Sequence, residues 1–402
     1  MENLSLGVGI EDTFIPQEAP GMRKLDEYEL TQHYTYWRED LRLAAECGAR
    51  YVRWGVPWYL VEPEQGEYDF RWIDEVAEHT QSLGLDVVVD LLHYGTPLWL
   101  DNSFLNASYP EHFGEYAGAV ADRYKDVFRS YTPVNEPMVN VLRCGRQGLW
   151  PPYLRGEDGL VKVLGPLCRG MAVAAQRIRE TVPDARLVHV DAGFRWAGSN
   201  FPNMGEQLLG EWRFLATDLY LGRVDGSHPM VPYLRENGMA DSDLDWFQDH
   251  AGTFDIMGVN YYPATSTVRY GDSGEEIFVD RGVEGLTDLL RAYWTRYGIP
   301  LAVTETSRNE SDRAKAEWLA ASLEGVDDLR AEGIPVVGYT WFPLLSLVDW
   351  TYRESCEDVD GFWNRLGLYD LQRGASRELR RVPSTAVDLF RREAESRRSP
   401  SR

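Results

Sequence analysis

The 402-residue sequence predicts an α/β protein, a single (β/α)8 TIM barrel with elaborated βα loops, on three observations. Short runs rich in Val, Ile, Tyr and Trp alternate with stretches of helical periodicity through residues 4–341, and they number eight. Runs such as residues 86–92 (DVVVDLL) are apolar on both faces, the pattern of a parallel sheet covered by helices. No low-complexity linker divides the chain, so one barrel domain spans residues 1–390, and the polar, Arg-rich residues 391–402 are expected as a flexible tail.

Taken in order, residues 4–10 form the first strand and end at the acidic pair Glu11-Asp12. A helix follows at 32–47, with Trp37, Leu41, Leu43 and Ala44 on its apolar face and Gly48 as its stop. The second strand, 50–56, holds Arg53 inside an apolar element, where a charge needs a carboxylate partner. Residues 70–83 give the next helix, and strand three at 86–92 delivers His93 to the same rim. After a helix at 110–124 comes FRSYTPVNEP, residues 128–137. Its aromatic and β-branched residues favour a strand, and Pro137 cannot continue a ladder, so Glu136 stands at the strand end. A helix at 164–182 leads to strand five at 186–190 and Asp191. Helical patterns at 206–221 and 229–247 read as loop structure before strand six, 254–260, which ends at Asn260 and is followed by Tyr261-Tyr262. A helix at 283–297, strand seven at 299–304 with Glu305 at its end, a helix at 313–332 and strand eight at 334–341, ending in Trp341, complete the alternation.

The formal net charge of −23 argues against nucleic acid or an anionic membrane as partner. No apolar stretch approaches a membrane-spanning length, and the first residues lack a basic region followed by an apolar run, so a cytoplasmic protein is expected. Cys47, Cys144, Cys168 and Cys356 are scattered, without a disulfide framework or zinc spacing. Gly7 and Gly9 do not complete a dinucleotide-binding pattern, and there is no P-loop lysine. No cofactor and no metal are expected, and the oligomeric state is not encoded in any pattern.

Parallel strands in a closed barrel present their C-terminal ends on one face, where ligands bind. That rim gathers Glu11, Arg53, His93, Asn135, Glu136, Asp191, Asn260, Tyr262, Glu305 and Trp341. Glu136 and Glu305, on strands four and seven, would face each other across the mouth. Two carboxyls suffice to open a glycosidic bond: as acid and nucleophile at roughly 5–5.5 Å separation, or as acid and base around a water at roughly 6.5–9.5 Å. The expected partner is a small carbohydrate or glycoside.

The motifs add a resemblance. TPVNEP resembles the acid/base motif of glycoside hydrolase family 1, the β-glucosidase-like retaining enzymes, and VTET at 303–306 resembles the nucleophile strand, usually TENG. RYVRWGVPW is similar to the family's YRFSISW run, DLLHYGTP to LYHWDLP, DIMGVNYY to LGINYY, and GYTWFPLLSLVDW at 338–350 to GYFAWSLLDNFEW. These matches run in order and extend into RLGLY at 365–369. The resemblance implies Glu136 as general acid then base and Glu305 as nucleophile. It implies Arg53 and Tyr262 against Glu305, Asn135 on the 2-hydroxyl of the sugar and His93 on another hydroxyl. Asn260, Trp350 and either Trp341 or Phe342 join the substrate contacts. Three departures stand out. Thr306-Ser307 replaces Asn-Gly after the nucleophile. GIEDTF lacks the sugar-binding glutamine, with Glu11 as its stand-in. Asp349 replaces the glutamate before Trp350, and Ser346-Leu347 replaces Asp-Asn. Such a chain fits a divergent branch or a neighbouring family of the same retaining clan. A transglycosidase using the same two glutamates and a non-catalytic carbohydrate-binding barrel are the alternative readings.

Overall fold

The computed structural model describes residues 3–197, 206–270 and 275–398. Its parallel strands β1 (Ser5–Gly9), β2 (Tyr51–Gly55), β3 (Asp86–Asp90), β4 (Ser130–Thr132), β5 (Arg186–Ala192), β6 (Ile256–Asn260), β7 (Leu301–Thr306) and β8 (Val336–Trp341) pair in sequence order. The barrel closes where β1 meets β8, with Ser5 opposite Gly338 and Val8 opposite Trp341. Around it lie α1 (His33–Glu46), α2 (Arg71–Leu83), α3 (Tyr109–Arg123), α4 (Gly156–Thr181), α5 (Gly282–Tyr297), α6 (Asp312–Ala331) and α7 (Ala386–Arg398). The (β/α)8 expectation is met, and β7 is buried along its whole length, as a strand covered on both faces must be.

Two glycines of β1 have a packing reason. A Cβ on Gly7 would lie 2.3 Å from the Tyr51 ring, and one on Gly9 would lie 2.1 Å from the Phe342 ring. The close approach seats Phe342 against the barrel wall, beneath Arg53, whose guanidinium carbon is 5.3 Å from the ring centroid.

Several expected elements change their bounds. α4 begins at Gly156 rather than near residue 164 and carries Pro166 inside it. The long buried face from Leu160 to Ile178 outweighs the one lost hydrogen bond. The helical pattern at 206–221 is two helices, Glu206–Trp212 and Leu215–Tyr220, and residues 229–247 contribute Val231–Glu236 and most of Asp241–Asp249. Beyond the barrel, Arg195–Ala197, Thr267–Tyr270 and Glu276–Phe278 form a small sheet.

The expected tail is corrected as well. Residues 391–398 belong to α7, which buries Val387, Phe390 and Ala394. Its arginines are tied to the barrel exterior: Arg391 Nε donates to the Glu46 carbonyl (3.0 Å), and Arg397 grips Asp327 at 2.8 and 2.7 Å. Polar composition suggested fraying, but those charges serve as docking contacts. Residues 399–402 lie outside the described residues.

Candidate active site

β4 stops at Thr132, yet the chain continues along the barrel direction: Asn135 N–H donates to the Leu92 carbonyl (2.9 Å) and Glu136 N–H to the Val190 carbonyl (3.0 Å). Asn135 and Glu136 are thereby strapped between the ends of β3 and β5. Glu136 then takes a left-handed conformation, φ 41° and ψ 62°, as the N-cap of the helix Pro137–Val141. A non-glycine residue there is strained, and the strain turns its carboxylate into the barrel mouth. Its two oxygens are held by different donors: the Tyr94 hydroxyl on Oε2, and the Asn260 amide on Oε1 at 2.9 Å. Tyr94 is itself left-handed, φ 83°, so two strained residues meet at this carboxylate.

Glu305 is the penultimate residue of β7, where the strand pairing shifts register against β6 between Val303 and Glu305. Arg53 Nη1 donates to Glu305 Oε1, and the Tyr262 hydroxyl donates to Oε2 at 2.7 Å. Burial pushes the Glu305 carboxyl up to about 8; the Arg53 charge opposes the rise and the Glu136 charge adds to it. Burial and the Glu305 charge hold Tyr262 well above its ordinary value, and burial and the Glu136 charge do the same to Tyr94. Both phenols therefore remain neutral donors.

Arg53 is the hub beneath the site. Besides Glu305, its Nη2 donates to Asp90 Oδ2 and, at 2.6 Å, to Asn135 Oδ1. Its burial would favour the neutral form, but Asp90, Glu305 and Asp12 overcome that and keep it charged. With Oδ1 committed to Arg53, Asn135 turns Nδ2–H toward His93 Nε2 at 2.9 Å, and His93 Nδ1 faces Asp12 at 2.8 Å. Burial would lower the His93 pKa, but Asp12 and Asp90 raise it well above the ordinary value. These demands compete, because protonating Nε2 sets two donors against each other. Turning the Asn135 amide to accept from His93 would withdraw Oδ1 from Arg53.

The acids of the first strand loop pack below. Asp12 is raised to about 6 by burial, against the pull of His93. Glu11 Oε1 accepts from the Thr13 amide (3.0 Å) and hydroxyl (2.6 Å) and lies 3.7 Å from His93 Nε2. Burial and the Glu11 charge hold Glu27 well above the usual carboxylate range, and Glu27 anchors the Val348 amide at 3.1 Å. Asp12, Asp90 and His93 offer ligand atoms within 4.8 Å of one another, an arrangement that could hold a cation. Arg53 already binds Asp90 there, so the guanidinium supplies the positive charge a metal would bring.

A cavity of about 820 Å³ opens over these groups. Glu11, His93, Glu136, Asn260, Tyr262 and Glu305 from the strand ends line it, together with Asp349 and Trp350 from the loop after β8. Arg53 and Asn135 sit behind the lining, almost fully buried. Trp341 is a correction: it lies in β8 opposite Val8, fully buried, with Nε1 donating to the Leu366 carbonyl (3.2 Å), and is part of the wall. Phe342 is wall too, filling the space beside Gly9. Asp349 has one carboxylate oxygen accepting from the Thr351 amide (2.9 Å) as the cap of a short 3-10 turn.

Asp12, Asp90 and Tyr94 were not singled out from sequence. Asp90 carried the signal that marked Arg53, a charge inside an apolar strand. Tyr94 stands where the family's LYHWDLP run has tryptophan, and its hydroxyl is the group that reaches Glu136. Trp150, which lines the cavity after a long loop, left no local signal.

The fold and the rim carboxylates together give a (β/α)8 barrel with two buried glutamates facing one cavity. Among known proteins, the family model described as Glyco_hydro_42, beta-galactosidase, matches residues 28–126, a span from α1 to α3 that ends before Glu136. Beta-glucosidase A of Thermotoga maritima is 23% identical over 377 residues, covering 84% of this chain and 81% of its own. The chloroplastic galactolipid galactosyltransferase SFR2 of Arabidopsis thaliana is 22% identical over 402 residues, covering 88% of this chain and 57% of its own. The solved family 1 β-glucosidase of Thermotoga maritima has a TM-score of 0.81 at 18% identity, with 98% of each chain covered. Its castanospermine complex reaches 0.84, also at 18% identity, covering 100% of this chain and 99% of that one. The chain shares the fold of that β-glucosidase and resembles the family 1 enzymes through most of its length.

Proposed function

We propose that the protein is a retaining β-glycoside hydrolase, with Glu305 as nucleophile and Glu136 as general acid and base. The observation that carries this reading is the pairing of donors: both glutamates line one cavity, and each has both carboxylate oxygens held by separate side chains. Glu305 attacks the anomeric carbon as the glycosidic C–O bond breaks, and Glu136 gives its proton to the departing oxygen. Water then attacks the same carbon, Glu136 takes the water's proton, and the ester bond to Glu305 breaks with net retention.

The supporting groups fit these roles. Arg53 can only donate toward Glu305 and the Tyr262 hydroxyl donates to its other oxygen, which favours the ionised form once substrate binds. The proton that Glu305 retains up to about 8 in the empty site has to reside on Glu136 when the bond cleaves. Asn135 serves as the link from Arg53 to His93, and His93, Glu11, Asn260, Asp349 and Trp350 present the cavity surface to the sugar. The relatives are named for glucosides and galactosides, sugars that differ at one hydroxyl, and the altered Glu11 and Asp349 positions lie on the same lining. All four cysteines are free thiols, in keeping with a reducing, cytoplasmic setting, and no described helix is long and apolar enough to cross a membrane.

Intact-protein mass after exposure to activated 2-deoxy-2-fluoro-β-glucosides and -galactosides tests the proposal. The parent is expected to gain one glycosyl group and Glu305→Gln none. A folded parent that binds these sugars and gains no mass would overturn hydrolysis in favour of a carbohydrate-binding barrel. A relative named as a galactosyltransferase favours transfer as the second reading, and the ratio of transfer product to free sugar with an added alcohol distinguishes it.

A further inference from the structure

Arg143 stands apart from the other arginines of the cavity lining. It lines the catalytic cavity and makes neither an ion pair nor a side-chain hydrogen bond among the described residues. The other arginines of the lining are engaged: Arg146 Nε is 2.8 Å from Glu157, and Arg308 Nη2 is 2.8 Å from both Asp280 and Glu310. Arg143 is carried on a π-helical turn, Leu142–Arg146, that continues the helix starting at Glu136. Such turns re-aim side chains and recur at functional sites. Its guanidinium carbon lies 5.8 Å from the ring centroids of both Trp150 and Trp350. That is the outer edge of cation–π range, so the rings wall the charge without neutralising it.

The same two rings pack around Tyr94, with centroid distances of 4.7 Å to Trp150, 5.3 Å to Trp350 and 5.2 Å between the two indoles. Arg143 is carried on the helical segment that Glu136 caps, so it stands on the acid's side of the cavity, where the leaving group departs. At about 820 Å³ the cavity has room for a sugar and a second ring. We propose that Arg143 and Trp150 form a leaving-group subsite for a flat aglycone that carries a carboxylate, with Trp350 at its border with the sugar. The Trp150 ring receives its plane, and Arg143 pairs with its charge. This rests on the hydrolase reading above and names the substrate class of that site.

The test uses two aryl β-glycosides of 3-(4-hydroxyphenyl)propanoic acid, one as the free acid and one as the primary amide. They are built on the sugar that labels Glu305 fastest. The phenolic leaving groups are nearly matched, so the ratio of kcat/KM for acid over amide reads the subsite alone. The parent is expected to prefer the acid, and Arg143→Gln to lower that ratio on the order of 10- to 100-fold, through KM more than kcat. Arg143→Lys retains part of the preference and, by that rescue, separates a charge effect from a disturbed fold. Equal use of acid and amide by the parent, or a ratio unchanged in Arg143→Gln, overturns the subsite while leaving hydrolysis standing. No turnover of either glycoside on a sugar that still labels Glu305 also overturns the subsite, whereas no labelling by any sugar removes the hydrolase reading beneath it.

Discussion

Replacing Glu305 by Gln should change how the stability of the protein depends on pH. The folded carboxyl is raised from 4.5 to about 8, chiefly by burial. Between those values the unfolded chain gives up the proton and the folded chain keeps it, so stability falls as pH rises through that window. At roughly 1.4 kcal/mol per pH unit the interval amounts to about 5 kcal/mol in the parent, and the amide lacks it. Taking about 2 cal/mol/K per residue for the unfolding entropy, a chain of this length shifts by roughly 6 °C in Tm for that energy. Scanning calorimetry of both proteins at pH 5 and pH 9 gives the comparison. The Tm difference, variant minus parent, should grow by roughly 4–5 °C between the two pH values, because part of the interval lies below pH 5. Any poorer fit of the amide against Arg53 and Tyr262 is common to both and drops out. Melting temperatures that stay parallel from pH 5 to 9 would refute the claim that Glu305 is held protonated by burial.

Tyr262→Phe removes the 2.7 Å bond to Glu305; kcat/KM should fall by roughly 10- to 100-fold, and the acidic limb of the activity profile should move to higher pH. Tyr94→Phe removes the donor on Glu136 Oε2, and kcat/KM should fall more for alkyl glycosides, which need leaving-group protonation, than for nitrophenyl glycosides. Gly9→Ala places a methyl 2.1 Å from the Phe342 ring, and urea unfolding should show a loss of about 1–3 kcal/mol. Glu27→Ala strips the Val348 amide of its acceptor and should cost about 1–3 kcal/mol by the same measurement at pH 8, whereas Glu27→Gln, which keeps an acceptor oxygen and drops the charge, should equal or exceed the parent.

The barrel was legible because its signals are local and repeated. Each strand run was short, apolar and bounded, and the interleaved helices carried their own period. The strand-end glutamates followed from the same logic, since Pro137 had to end the ladder beside Glu136. What escaped was set by tertiary contact. Trp341 looked like a platform from its motif position, but the register of β8 against β1 places it in the wall. The start of α4 was hidden by Pro166, which a long buried face tolerates. The tail from Arg391 read as solvated because composition does not show that Glu46, Gly48 and Asp327 stand ready to receive its arginines. Tyr94 mattered through one hydroxyl aimed across the cavity, a direction no periodicity encodes.

The buried acids of the rim explain why the site needs so connected a base. Asp90 is held below its ordinary value because Arg53 and His93 outweigh its burial. Asp12 at about 6, with Glu27 and Asp191 well above their ordinary range, lacks enough compensating charge and is kept protonated to differing degrees. Arg53 can serve Glu305 fully only while Asn135 holds its amide oxygen toward it, and Asn135 does so while His93 Nε2 accepts the amide proton. His93 in turn is oriented by Asp12. A continuous set of bonds thus runs from the first strand loop, through His93 and Asn135, to the guanidinium that orients Glu305. Buried acids that weaken the fold are the groups that fix this geometry, which is the usual relation between stored electrostatic strain and a preorganised site.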